Sequence, residues 1–136
     1  MGNSVKKIYQ AVFQWCDNLT SVEFSNSIEY IGAFAFNSCN LNGTIVLPSS
    51  LTQIGNRAFG FNLDMEKVYI PKSVKIMGDY VFDNSGEWIT SGRYGEINSS
   101  GLEIYIKTGT DKSQWSSKWS SFDTGYISGI SLIYTW

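Results

Sequence analysis

The residues IEYIGAFAFNSCNLNGTIVLPSS (28–50) and LTQIGNRAFGFNLDMEKVYIPKS (51–73) follow one another without a gap and share one pattern along their length. The same pattern occurs upstream in VKKIYQAVFQWCDNLTSVEFSNS (5–27) and begins again in VKIMGDYVFDNSGEW (74–88). An internal repeat with a fixed period of about 20–50 residues is typical of a solenoid, because one repeat cannot bury its own apolar face alone. The sequence therefore predicts stacked coils of one 23-residue repeat.

Residues of the same kind recur in each column of the repeat. The columns are an apolar first residue (Val5, Ile28, Leu51, Val74), an apolar fourth residue (Ile8, Ile31, Ile54, Met77), its successor (Tyr9, Gly32, Gly55, Gly78), a small residue (Val12, Ala35, Ala58, Val81) and a phenylalanine (Phe13, Phe36, Phe59, Phe82). The glycines permit either a corner with positive φ or a close contact between backbones. The four phenylalanines are expected to form a ladder, since successive coils lie about 4.8 Å apart.

The second half of each repeat predicts a short strand. The stretches LTSVEF, GTIVLP and EKVYIP alternate apolar and polar residues and carry β-branched or aromatic side chains. We expect the inward positions to be Val22, Phe24, Ile45, Leu47, Val68, Ile70, Ile104 and Ile106. The residues between them then face outward, because the side-chain period of a strand is two.

The motif I-G-x-x-A-F followed by V-x-I-P, as in IGNRAF (54–59) and VYIP (68–71), resembles the BspA-like leucine-rich repeat. The resemblance covers about residues 5–110. The departures from the family pattern are Tyr9 for glycine, Asn62 and Ser85 for cysteine, Asn42 for leucine, and Ser25 and Lys107 for proline. It implies a mainly β fold, a right-handed leucine-rich-repeat solenoid of about four coils with a parallel sheet on one face. It also implies a non-enzymatic scaffold, used by surface or secreted proteins of bacterial type for adhesion to host proteins, other cells or matrix.

The repeats divide the chain into a solenoid over 1–110 and a C-terminal cap over 111–136. The solenoid comprises repeats 5–27, 28–50, 51–73 and 74–110, the last with an insertion near 85–101 that is about thirteen residues long. The insertion is interpreted either as a small hairpin that covers the last coil or as a loop that presents Trp88, Arg93 and Tyr94 to a partner.

The cap is predicted to contain a short helix and a strand. In TDKSQWSSKWSSF (110–122), Trp115, Trp119 and Phe122 are spaced as on one face of a helix. Such a helix would close the open end of the core, although two aligned tryptophans also fit a platform for sugar rings. YISGISLIYTW (126–136) is expected to be a paired strand, because an unpaired apolar edge promotes aggregation.

Composition excludes several classes of function. The 136 residues carry a net charge of −2 and no run of Lys or Arg, so we expect no nucleic acid partner. No apolar stretch is long enough to insert into a membrane, and no signal-peptide core follows Met1. We therefore expect the chain either to stay inside the cell or to be a piece of a longer exported protein. The resemblance implies the second, at the cell surface or secreted. The pattern begins near Val5, so Val5, Ile8 and Phe13 are expected to present an open coil end. Either the chain is a piece of a longer array, or this end is covered by self-association.

Catalysis and cofactor binding are not expected. Histidine is absent, and neither a nucleophile motif nor a cluster of metal ligands occurs. Cys16 and Cys39 share one column of successive repeats, which fits either a disulfide or two small buried residues.

The leading hypothesis is a module that binds a protein through the outward strand positions. Two rows of these positions are predicted to form the binding face: Ser21, Thr44, Lys67 and Glu103 in one, and Glu23, Val46, Tyr69 and Tyr105 in the next. Tyrosine is enriched at interface hot spots, so Tyr69 and Tyr105 with Lys67 are the first candidates. The alternatives are a structural spacer or self-association unit, and carbohydrate recognition through exposed tryptophans.

Overall fold

The computed structural model describes residues 2–83, 85, 101–120 and 130–135, and of residues 130–134 only the backbone course. Within these residues the chain forms short β-strands and no helix. The strands are β1 (Lys7–Ile8), β2 (Tyr30–Ile31), β3 (Gly43–Val46), β4 (Gln53–Ile54), β5 (Met65–Ile70), β6 (Ile76–Met77), β7 (Leu102–Ile106), β8 (Gln114–Trp115) and β9 (Ile130–Thr135). No helix in these ranges has the length and apolar character needed to cross a bilayer.

The strands are arranged in two parallel sheets. The short sheet has the order β1-β2-β4-β6-β8 and the long sheet has the order β3-β5-β7-β9. Residues 23 apart are partners in both sheets, as in Tyr30 with Gln53 and Thr44 with Lys67. On its other side, Lys67 pairs with Glu103, which is 36 residues further on because the insertion lies between them. The mainly β, parallel architecture predicted from the repeat is confirmed.

The phenylalanine ladder forms as predicted. Ring centroids are 5.1 Å apart for Phe13 and Phe36, 5.4 Å for Phe36 and Phe59, and 5.8 Å for Phe59 and Phe82. In each pair the two ring planes are nearly parallel. Phe36, Phe59 and Phe82 are fully buried. Stacking at the coil spacing thus removes most of the aromatic surface from water and holds successive coils in register.

The glycine column serves close approach between coils. A Cβ atom on Gly32 would lie 2.6 Å from the backbone nitrogen of Gln10, and one on Gly55 or Gly78 would collide with the backbone of the preceding coil in the same way. The non-glycine residues with positive φ lie elsewhere, in two columns: Ala11, Phe34, Arg57 and Tyr80 in one, and Trp15, Ser38 and Phe61 in the other. Of the two roles that the sequence left open, the structure selects contact between backbones.

The cysteine column supplies hydrogen-bond donors. Cys39 Sγ–H donates to the Phe13 carbonyl (3.1 Å), Asn62 Nδ2–H to the Phe36 carbonyl (2.9 Å), and the Ser85 hydroxyl to the Phe59 carbonyl (2.6 Å). Each acceptor belongs to the phenylalanine of the preceding coil. Asn62 and Ser85 therefore depart from the family pattern but keep the bond that satisfies a buried carbonyl.

The helix predicted in residues 110–122 is wrong for the part of the cap that the structure describes. Gln114–Trp115 is strand β8, which pairs with β6 in the short sheet, and residues 117–120 form a turn. Trp115 pairs with Met77, and the Val81 N–H donates to the Trp119 carbonyl. The four-residue spacing of the tryptophans is the spacing of Met77 and Val81 within a coil, so the apparent helical period was the solenoid repeat itself.

The predicted C-terminal strand is present as β9, which pairs in parallel with β7. The strand predicted in the first repeat is not formed, since residues 19–25 have no regular strand hydrogen bonding. This segment receives bonds from Asn40 and Asn42, but the Gly43 N–H turns to the Asp64 carbonyl of the next coil. Val22 and Phe24 still pack against the core as predicted.

Candidate protein-binding face

The outward positions of the long sheet form a continuous surface, which we call the strand face. Its members are Thr44 and Val46 on β3, Lys67 and Tyr69 on β5, and Glu103 and Tyr105 on β7, with Ser21 and Glu23 on the adjoining segment of the first coil. The intervening residues, such as Val68 and Ile104, are fully buried. Alternation along the strands therefore separates this face from the core as the sequence predicts.

Tyr69 and Tyr105 lie side by side at the centre of the strand face. They are backbone partners, and their rings stack with centroids 4.6 Å apart and planes inclined by 14°. Both side chains are half-buried. The parallel register places the two Cβ atoms one strand spacing apart, so stacking follows directly from the pairing of β5 with β7.

A charged pair flanks the tyrosines. Lys67 Nζ lies 3.5 Å from Glu103 Oε2, and the Tyr105 hydroxyl donates a hydrogen bond of 2.8 Å to the same oxygen. The two ionic side chains remain partly exposed, so the pair contributes little to stability. Its effect is to fix the orientation of the Tyr105 ring.

A groove opens beside Tyr69, toward the first coil. It has a volume of about 590 Å³ and is lined by Glu23, Val46 and Tyr69 from the predicted rows. Val46 is 62% exposed, which is high for an aliphatic side chain. Sequence reasoning missed the rim of the groove at Asn26, Pro48 and Pro71. The prolines that follow β3 and β5 were the available signal, because proline lacks an N–H and cannot extend the sheet.

The other aromatic candidates differ in their outcome. Trp88, Arg93 and Tyr94 lie outside the described residues. Trp115 and Trp119 are in edge-to-face contact, with ring planes inclined by 75°, and both pack against the core. The two rings therefore cover apolar residues and are not coplanar, as a platform for a sugar would be.

The cysteines lie away from the strand face and are both free thiols. Burial raises the pKa of the Cys39 thiol above its usual value. Within the described ranges, no group of three or more Cys, Asp or Glu side chains is arranged to hold a metal ion.

Comparison with known proteins identifies the repeat. A family model whose description reads "BspA type Leucine rich repeat region (6 copies)" matches residues 1–108. The chain also resembles the crystal structure of a leucine-rich repeat protein from Bacteroides ovatus ATCC 8483, with 17% sequence identity and a TM-score of 0.44. That match covers 99% of this chain and 44% of the Bacteroides chain, so the present chain spans less than half of its length. None of the curated proteins compared with the sequence matches it significantly.

Proposed function

The chain belongs to the BspA-type leucine-rich repeat family, and on that premise we propose that it is a non-catalytic module that binds a protein partner through its strand face. Repeats of this family typically mediate contacts between proteins. The observation that carries the proposal is the stacked pair Tyr69 and Tyr105, which is half-buried before any partner is present.

The geometry of the strand face lowers the entropic cost of binding. Tyr69 is stacked against Tyr105, and Tyr105 is tethered through its hydroxyl to Glu103. Side chains that are already ordered lose little freedom when they are covered, so more of the contact energy appears as affinity. Val46 and the adjoining groove add apolar surface next to these rings, as in the centre of an interface hot spot.

We place the partner outside the cell, on a host protein, the matrix or a neighbouring cell. BspA-type repeat proteins are often surface or secreted proteins, and the chain would then be one section of such a protein. An adhesion module of this kind needs a large exposed face more than an enclosed pocket, which agrees with the open groove beside the tyrosines.

The test compares the chain with a Tyr69→Ala/Tyr105→Ala variant for binding to immobilised matrix proteins, host-cell extracts and glycans. The control is Tyr9→Ala/Tyr30→Ala, which removes the same side chains beside the short sheet and away from the strand face. We expect a protein ligand to be retained by the parent and the control and lost by the strand-face variant. Equal binding by all three proteins would contradict the proposal.

A second candidate function is self-association through the first coil. Val12 and Trp15 are 53% and 69% exposed, whereas Ile8 is buried and Phe13 partly buried. The apolar surface of this coil is therefore carried by residues other than those expected from the sequence, apart from the exposed Val5. A mass that rises with concentration in light scattering, and that stays monomeric in Trp15→Ser, would support this function; a concentration-independent mass would exclude it.

A further inference from the structure

A second groove lies at the corner that follows strands β5 and β7. Its volume is about 660 Å³, within the range of about 300–1,000 Å³ that is typical of small-ligand sites. We call it the basic groove. Its polar lining consists of Lys72, Lys75, Lys107, Ser49, Ser73 and Thr108. It meets the groove beside Tyr69 at Ser49 and Pro71, which line both.

The basic groove concentrates positive charge on a chain whose net charge is −2. Three of the ten Lys and Arg residues line it, and none of the lining residues that the structure describes is acidic. The register places Lys107 directly after the pair Ile70–Ile106, and the Lys107 N–H donates to the Ile70 carbonyl. Lys107 therefore lies opposite Pro71, the residue before Lys72, at the ends of two adjacent strands.

Asp111 is an acidic residue whose charge interacts with that of Lys75, one of the lysines that line the basic groove. Its pKa is lowered chiefly by the hydrogen bonds from Ser113, with a smaller contribution from the charge of Lys75. Asp111 does not line the groove. Asp111 thus offsets part of the positive potential at the Lys75 side of the groove.

A column of serines gives an independent indication of a ligand. The Ser27 hydroxyl donates to the Val5 carbonyl (3.0 Å), and the Ser50 hydroxyl donates to the Ile28 carbonyl (2.6 Å), each 22 residues earlier. Ser73 occupies the next place in this column, yet its buried hydroxyl has no hydrogen-bond partner among the described residues. Ser73 is also the member of the column that lines the basic groove. A buried hydroxyl costs free energy unless something bonds to it. Rotation of the Ser73 side chain toward the groove that it lines would expose the hydroxyl, and a ligand there would then supply the bond.

We infer that the basic groove binds an acidic oligosaccharide, whose sulfate or carboxylate groups are held by Lys72 and Lys107 and whose hydroxyls are held by Ser73 and its neighbours. Ammonium groups bind oxyanions through charge-assisted hydrogen bonds, and serine and threonine hydroxyls both donate to and accept from sugars. The Pro71 ring supplies an apolar surface for a sugar face. Among the described residues, the lining has no aromatic ring on which a base can stack, which disfavours a nucleic acid.

Titration calorimetry in low-salt buffer tests the site with three ligands: a heparin-derived tetrasaccharide, its desulfated form and a neutral tetrasaccharide. The desulfated form keeps the carboxylates. The variant Lys72→Gln/Lys107→Gln is compared with Lys7→Gln/Lys118→Gln, which removes the same charge outside the groove. We expect the groove variant to weaken binding of the sulfated sugar by at least about tenfold and the control to weaken it by less than about threefold.

The desulfated form shows which oxyanion the groove binds. If the protein keeps its affinity for this form, the groove binds the carboxylate; if the affinity is lost, the groove binds the sulfate. Equal losses in the two lysine variants, or no heat with either acidic sugar, would overturn the inference. So would displacement of the sulfated sugar by a poly-glutamate peptide at lower concentration, because the groove would then prefer an acidic peptide.

The serine column provides a second, matched pair of variants. Ser73→Ala is expected to weaken sugar binding several-fold and leave the melting temperature unchanged, because its hydroxyl has no bond to lose. Ser50→Ala is expected to lower the melting temperature and leave sugar binding unchanged. The opposite pattern would contradict the role given to Ser73. Sugar binding should persist in Tyr69→Ala/Tyr105→Ala, so this inference and the proposed protein-binding face can fail separately.

Discussion

The inward columns of the coils repeat almost the same residue, whereas the outward columns of the strand face change from coil to coil. Phenylalanine occupies one inward column at Phe36, Phe59 and Phe82, all fully buried. An outward column in the other half of the repeat, on the strand face, holds glutamate, valine and two tyrosines in turn. An inward residue must fit a like residue in the next coil, while an outward residue meets solvent and can vary without cost to the fold. The difference indicates that the inward columns determine the fold, which leaves the outward columns free for the binding role proposed above.

The largest effect is expected from the phenylalanine ladder. Phe59→Ala removes a fully buried ring that stacks on Phe36 and Phe82, and should lower the free energy of unfolding by about 3–5 kcal/mol. Phe61→Ala, at a position 40% exposed, is the control and should cost less than about 1 kcal/mol. Urea unfolding of both variants measures the difference, and equal costs would show that the inward column does not determine the fold.

The next largest effect is expected from the cysteine column, whose side chains donate hydrogen bonds to the preceding coil. Asn62→Ala leaves the Leu41 N–H and the Phe36 carbonyl without the partners that the carboxamide provides, at 3.1 Å and 2.9 Å. Each unsatisfied buried group costs about 1–3 kcal/mol, so we expect a loss of about 2–4 kcal/mol in the same urea experiment. The exposed Asn42→Ala should change stability by no more than about 0.5 kcal/mol. A loss at Asn62 no greater than this would contradict the role given to the column.

A smaller effect should separate two members of the glycine column. Gly55→Ala forces a Cβ against the Ala33 backbone and is expected to cost about 1–3 kcal/mol. Tyr9 occupies the same column in the first coil and is 65% exposed, so Tyr9→Ala should change stability by less than about 0.5 kcal/mol. Calorimetric melts decide the matter, and a Gly55→Ala protein as stable as Tyr9→Ala would refute the close approach between coils.

The smallest effect is chemical. Burial raises the pKa of Cys39, so the folded protein disfavours the thiolate there, and an aromatic disulfide reagent should modify the partly exposed Cys16 first. Because the folded pKa is raised, the stability linked to this thiol is fully present below the pKa of the unfolded thiol and is lost as pH rises through the folded value. Stopped reactions analysed by mass spectrometry give the order, and faster modification of Cys39 would contradict its burial.

Much of the fold could be predicted from the sequence, because each inward residue contacts the equivalent residue of the next coil, 23 positions away. The period, the phenylalanine ladder and the inward strand positions follow from that single fact. The tryptophan segment could not be interpreted correctly, because a four-residue spacing fits both a helix and the first half of a coil. The donor role of Asn62 was hidden for a related reason: a buried polar residue reveals its partner only when the carbonyl beneath it is located.

The candidate site was predictable in part. Alternation along the strands placed Tyr69 beside Tyr105, and their stacking follows from the parallel register. The grooves beside the strand face and at the lysine-rich corner depend on where three coils turn, which a linear pattern does not encode. The bond missing from Ser73 is visible only by comparison with Ser27 and Ser50 in three dimensions.

The most direct test of the account measures stability and protein binding on one preparation of the Tyr69→Ala/Tyr105→Ala variant. If outward columns carry function and inward columns carry the fold, the variant should unfold within about 1 kcal/mol of the parent and lose its affinity for the protein ligand by at least tenfold. A variant that keeps the parent affinity, or one that unfolds as readily as Phe59→Ala, would contradict the division between the two kinds of column.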